Sequence, residues 1–254
     1  MSSLKFNSGN GSPLLNLSAS ELTESDADDL QFSLGTTVHF ADGRTFVYCF
    51  IRTGGVSAGD VVSSCPFVPT TGTVTGTHLA GSLTLSSAGA FPNVPVRFDT
   101  AVISIEGASG DGAGQVRFSG RFLNINELLV TEPWTSDVLN PATFTILQPW
   151  DVEKCPAPVV NPPLGVALAD IGSNDYGWIQ TKGVGRVAIE AAGNAVVGCD
   201  MIVASAANDG QVEGLAVANT PTVAEFYAKV GTGMSDGDND GDLIPCMIDC
   251  QGVL

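Results

Sequence analysis

From Thr36 onward the chain alternates short β-branched or aromatic runs with Gly, Asn, Asp and Pro, the spacing expected of sandwiches and barrels. The runs predict strands over Thr45–Arg52, Gly81–Leu85, Val94–Glu106, Gln115–Ile125, Ala142–Leu147, Tyr176–Thr181, Arg186–Glu190, Asp200–Ala204, Gly214–Ala218, Glu225–Val230 and Leu243–Ile248. Nearly all are bounded by turn signals. Thr222-Val-Ala-Glu225 has the capping-box pattern, but Gly231 follows too soon for a helix of ordinary length, so this segment too is read as a strand. Residues 1–30 are polar and then acidic through Glu21-Leu-Thr-Glu-Ser-Asp-Ala-Asp-Asp, which predicts an extended N-terminal arm with one short helical turn.

An internal echo organises the rest. Tyr48-Cys-Phe-Ile51-Arg-Thr53-Gly-Gly55-Val56 aligns without a gap on Tyr176-Gly-Trp-Ile179-Gln-Thr181-Lys-Gly183-Val184, with five of nine positions identical. A second echo pairs Gly165-Val-Ala-Leu-Ala with Gly214-Leu-Ala-Val-Ala. Repeated strand-plus-turn units suggest related hairpins that complete one another's sheets. Between the copies of the first echo, Val94-Pro-Val-Arg-Phe-Asp and Gln115-Val-Arg-Phe-Ser-Gly-Arg-Phe carry an alternation of their own. A connector with Pro149, Pro156, Pro158, Pro162 and Pro163 follows, and extended proline-rich backbone is stiff. The expected fold is therefore all-β: a polar arm over 1–30, a split β-sandwich or barrel base domain over 31–65 and 150–254, and a small inserted β domain over 66–149.

Charge narrows the function classes. Ten Lys and Arg stand against 27 Asp and Glu, a formal net charge of −17, and such a surface repels phosphate, so neither nucleic acid nor an anionic membrane is an expected partner. Charged residues are only 15% of the chain against 44% hydrophobic, which argues for folding and, through many small neutral side chains, for close contact between flat surfaces. No basic segment followed by an apolar run opens the chain, and no stretch approaches the ~18 apolar residues of a membrane span, so synthesis in the cytoplasm is expected. Without a signal, Cys49, Cys65, Cys155, Cys199, Cys246 and Cys250 read as buried free thiols rather than a disulfide framework. Were Cys246 and Cys250 on one strand, four steps of about 3.3 Å would set them roughly 13 Å apart, beyond the reach of a mutual bridge.

Few motifs point to catalysis. His39 and His78 are the only histidines, and neither lies in HExxH or a Cys/His cluster. GxxxxGK[ST] and GxGxxG are absent, and the two GxSxG strings, at 55–59 and 233–237, have no helical pattern after them to make a strand–turn–helix elbow, so the chain does not read as an enzyme. The sharpest local signal is Asp236-Gly-Asp238-Asn-Asp240-Gly241-Asp242, which has the oxygen ligands and glycine of the first half of a calcium loop. Met247 stands where the bidentate Glu would be needed, and Asp and Gly also build tight solvated turns, the reading favoured here. A weak Ca2+ site on Asp236, Asp238, Asp240 and Asp242 is the alternative, and no other cofactor is expected. Trp134, Trp150 and Trp178 could serve a carbohydrate module, although tryptophans more often fill cores.

Several segments resemble bacteriophage capsid decoration (cement) proteins. They are Phe46-Val-Tyr-Cys-Phe-Ile-Arg, the turn Ser57-Ala58-Gly59-Asp60 into Val61-Val62, Gly-Val-Ala-Leu-Ala at 165–169, Tyr176-Gly-Trp-Ile-Gln, Asp200-Met-Ile-Val, Gly214-Leu-Ala-Val-Ala and Asp240-Gly-Asp-Leu-Ile-Pro-Cys-Met. The resemblance covers roughly 31–65 and 164–250. It implies a β-rich structural virion protein, often a homotrimer, that binds major capsid protein on the capsid surface and steadies the joints between its subunits. Another virion component, tail or fibre-associated, or a non-viral ligand-binding β-sandwich would share the same composition. The major capsid protein itself is disfavoured, because no helical periodicity long enough for a spine helix is present.

Overall fold

The computed structural model describes residues 21–23, 25, 32, 34–52, 54–64, 70–89, 91, 101–106, 112–148, 150–156, 162–190, 198, 200–203, 209–215, 228–237 and 239–250. It is all-β. The strands are β1 (Thr37–His39), β2 (Thr45–Ile51), β3 (Val61–Ser64), β4 (Thr70–Thr73), β5 (Thr84–Ser86), β6 (Val102–Glu106), β7 (Val116–Asn124), β8 (Glu127–Val130), β9 (Thr143–Leu147), β10 (Asp151–Lys154), β11 (Pro163–Ala167), β12 (Tyr176–Ala188), β13 (Asp200–Val203), β14 (Val212–Gly214), β15 (Lys229–Gly233) and β16 (Leu243–Asp249). The chain divides into two compact units, one of Met1–Asp29, Thr36–Ser63 and Val152–Leu254, the other of Leu30–Gly35 and Ser64–Asp151.

In the first unit one sheet runs β1-β2-β10-β3-β11-β12-β16-β15-β13-β14, and an additional β2–β12 pairing closes β2, β10, β3, β11 and β12 into a five-stranded barrel. The echo explains the closure. Its two copies lie side by side and antiparallel, Tyr48 opposite Trp178 and Phe50 opposite Tyr176, about a local two-fold at the Cys49–Gly177 pair. Tyr48 stacks on Tyr176 at 6.2 Å and Trp178 tilts against Tyr48 at 5.1 Å, so the shared aromatic pattern is what knits the seam. A Cβ at Gly177 would strike the Ile171 side chain, which accounts for the one small residue in this run.

Two predicted strands, Tyr176–Thr181 and Arg186–Glu190, are in fact the single strand β12. Gly183 looks like a turn residue, yet with φ +93° it lies inside the strand, just past the register shift between Gln180 and Lys182 and packed against the Arg44 backbone. There β12 changes partner: its first half pairs with β2 and residues Lys182–Ala188 pair with β16. Buried Gln180 holds the change of direction by donating its amide to the carbonyls of Lys182 and Val184. Beyond it β16, β15, β13 and β14 curl back until Val212 bridges Ile189, enclosing Val61, Cys155, Val187, Met201, Val230, Ile244, Cys246 and Ile248.

The proline-rich connector is also more ordered than a spacer. It contributes β10, and Pro163 opens β11, a strand position that tolerates a missing N–H. Short strands with charged or glycine-containing sequences, such as Asp151-Val-Glu-Lys and Thr70-Thr-Gly-Thr, escape a propensity reading because their neighbours rather than their composition fix them. The end of the arm forms the 3₁₀ turn Glu21–Thr23, with Leu22 buried and the Ser25 hydroxyl donating to Asp175 at 2.7 Å. Thr222–Glu225, Cys65 and Cys199 lie outside the described residues.

The second unit is a six-stranded sheet, β4-β9-β6-β7-β8-β5, whose two edges meet at a Val74–Ser87 bridge. Its core joins Leu85, Phe91, Ile103, Ile105, Leu128, Trp134, Phe144 and Ile146. The Trp134 indole donates to the Thr84 carbonyl at 2.8 Å, satisfying the polar end of a ring that is otherwise dry. Buried Gln115 accepts from the Thr135 amide and hydroxyl and donates to Ser136, pinning the loop after β8.

Candidate functional site

The acidic turn between β15 and β16 is the site singled out by sequence. Asp236 and Asp240 are exposed on it, and Asp238 lies outside the described residues. Asp242 is turned inward on its own loop, its carboxylate accepting from the Asn239 amide N–H at 3.1 Å and side-chain amide at 3.0 Å. The backbone continues the pattern: Gly241 N–H donates to the Ile189 carbonyl and Ile189 N–H to the Asp242 carbonyl. Gly241 has φ +78°, as a tight turn requires. The described residues thus give this segment a turn-closing role, and among them no group of three or more His, Cys, Asp or Glu side chains could hold a metal ion.

Each histidine faces a threonine hydroxyl on a strand. His39 is exposed beside the Thr45 hydroxyl. His78 is buried, takes the Ser86 N–H on Nε2 at 3.0 Å and faces the Thr84 hydroxyl through Nδ1 at 3.1 Å, so it is a neutral strut whose burial lowers its pKa. Cys49, Cys155, Cys246 and Cys250 are free thiols. Burial pushes Cys155 and Cys246 up to about 11 and Cys250 upward as well, the opposite of nucleophile activation. Trp134 and Trp178 are only 1% exposed, which removes both as open platforms for a sugar ring. The Trp150 indole lies against the backbone of Gly35.

Large apolar side chains are exposed on the outer sheet faces. On β7, Phe118 and Val116 are 57% and 52% exposed, with Val102 of β6 opposite Phe118. On β12 and β16, Val184 and Met247 form a cross-strand pair and are 48% and 45% exposed. Strict alternation in β16, with Leu243, Pro245, Met247 and Asp249 outward and Ile244, Cys246 and Ile248 inward, was the available clue, because apolar residues recur on both faces.

Comparison with protein-family models, with curated proteins and with solved structures finds no match to this chain.

Proposed function

We propose that the chain is a structural virion protein, not an enzyme, that binds the outer face of a phage capsid and stabilises contacts between major capsid protein subunits. The outward apolar residues of both units support this reading: Phe118 and Val116 on one, Val184 and Met247 on the other, each on a hydrogen-bonded sheet that cannot collapse to hide them. The net charge of −17 suits a protein that stays outside a DNA-filled shell and contacts neither nucleic acid nor membrane. Association with its own copies, as the trimer seen in the resembled family, belongs to the same proposal.

The test is the copy number of the chain relative to the most abundant protein of gradient-purified particles, by quantitative mass spectrometry. A ratio near one-to-one is expected of cement on a shell lattice. A few copies per particle would instead make it a tail or fibre-associated component, and absence from particles would overturn the virion reading.

A further inference from the structure

We propose that the outer face of β12 and β16 is a self-association surface, on which a second copy of the chain docks about a two-fold axis running along the strands between them. The two strands are paired without interruption from Lys182–Asp249 to Ala188–Leu243, and Val187, Ile244, Cys246 and Ile248 anchor their inner side in the core. The outward residues are therefore held in fixed rows. One row is Lys182 beside Asp249, the next Val184 beside Met247, the next Arg186 beside Pro245. Met234, just past the end of β15, widens the apolar part at 47% exposure.

Charge selects the occupant. The chain carries −17, so two copies repel over most of their surfaces. Elsewhere in the first unit Arg44 is paired with Asp42, Lys154 with Asp60 and Lys229 with Asp200. Among the described residues Lys182, Arg186 and Asp249 have no ion-pair partner, so this face offers unpaired charge of both signs, with Lys182 and Asp249 in one row. A two-fold between β12 and β16 exchanges the strands, so each row meets its own reverse. Lys182 of one copy then faces Asp249 of the other, twice, and Val184 packs on Met247, twice. Facing sheets pack about 10 Å apart, a separation these side chains span. The face is self-complementary in charge and in apolar pattern, which a second copy satisfies without any further partner.

This surface stands apart from the capsid reading, whose test is copy number on particles. Sedimentation velocity and light scattering on the full chain should show a dimer that Val184→Glu weakens at least tenfold. Lys182→Glu alone and Asp249→Lys alone place like charges opposite each other and should give monomers. Mixed one-to-one, the two variants should form a heterodimer. The carboxylate introduced at position 182 of one then faces the ammonium introduced at position 249 of the other, and across the axis the native Asp249 faces the native Lys182. Because each variant changes an exposed side chain, recovery on mixing also shows that both are folded. A wild-type chain that is only monomeric or only trimeric, or two variants that remain monomeric when mixed, overturns the proposal.

Discussion

The ion pair between Asp60 and Lys154 should be worth more than its surface position suggests, and a double-mutant cycle measures it. Lys154 Nζ lies 2.7 Å from Asp60 Oδ2, with side chains 35% and 7% exposed, and the same oxygen accepts the Ser57 N–H at 2.6 Å. Asp60→Ala orphans that N–H, a loss of about 1–3 kcal/mol, and strands a half-buried ammonium. Fully exposed pairs contribute about 0.2–1 kcal/mol, whereas breaking a buried pair costs about 3–5 kcal/mol. Since Lys154 can swing partly into water, the coupling should lie between these limits, at about 1–2 kcal/mol, with Asp60→Ala costing about 3 kcal/mol in all. For a unit of this size that is a fall of roughly 6–12 °C in melting temperature. Calorimetry of Asp60→Ala, Lys154→Ala and the double variant gives the cycle, and hydrogen exchange at the Ser57 amide reports the local effect. Additive single losses, with coupling under about 0.3 kcal/mol, would refute a role for the pair.

Replacing Gln180 by Leu removes the amide that holds the Lys182 and Val184 carbonyls, and should cost about 2–4 kcal/mol in urea unfolding of the first unit; an unchanged midpoint would mean the bulge holds itself. His78 has a folded pKa below its ordinary value of 6.5, so the folded state binds the proton less readily than the unfolded one. Its contribution is fully present above about pH 6.5 and is lost as pH falls through the depressed value, with Glu127 opposing the shift and Asp137 held nearby on the Ala80 amide. His78→Gln should flatten this part of the pH–stability profile of the second unit. Cys155, Cys246 and Cys250 should resist iodoacetamide at about pH 8 in the native protein and react only on unfolding, as peptide mapping would show. Titration calorimetry with Ca2+ should give no saturable heat, and a response abolished by Asp240→Asn would instead make the acidic turn a cation site.

Much of this architecture was legible in the sequence for reasons that are local. Alternation marked β7 and β9, and the Ser57-Ala58-Gly59-Asp60 turn is written in residue types: Gly59 takes φ +91° against the Ala188 backbone, and Asp60 bonds back to Ser57. The partner Lys154 was not legible, because it stands more than ninety residues from Asp60 and nothing between them announces it. The break predicted between Tyr176–Thr181 and Arg186–Glu190, where Gly183 lies, misled for a related reason. A positive φ is needed both in a hairpin turn and in a bulge, and only the presence of β16 as a second partner distinguishes them. The acidic turn shows the limit for chemistry: oxygen spacing fits a calcium ligand set and a solvated turn alike, and the bonds from Asn239 to Asp242 Oδ2 are visible only in the fold.

The seam between β2 and β12 has a consequence for synthesis. Phe50 and its partner Tyr176 are about 125 residues apart, and at about 5–20 residues per second β2 emerges roughly 6–25 s before the strand that covers it. Through most of that interval the run Phe46–Ile51, wholly buried in the finished protein, has only the short β1 as a companion on its own chain. Because β12 echoes β2, the strand most similar to the awaited partner is another β2, emerging from the next ribosome on the same message. Crowded translation therefore favours pairing between nascent chains, and the yield of correctly closed barrels should rise when initiation is slowed.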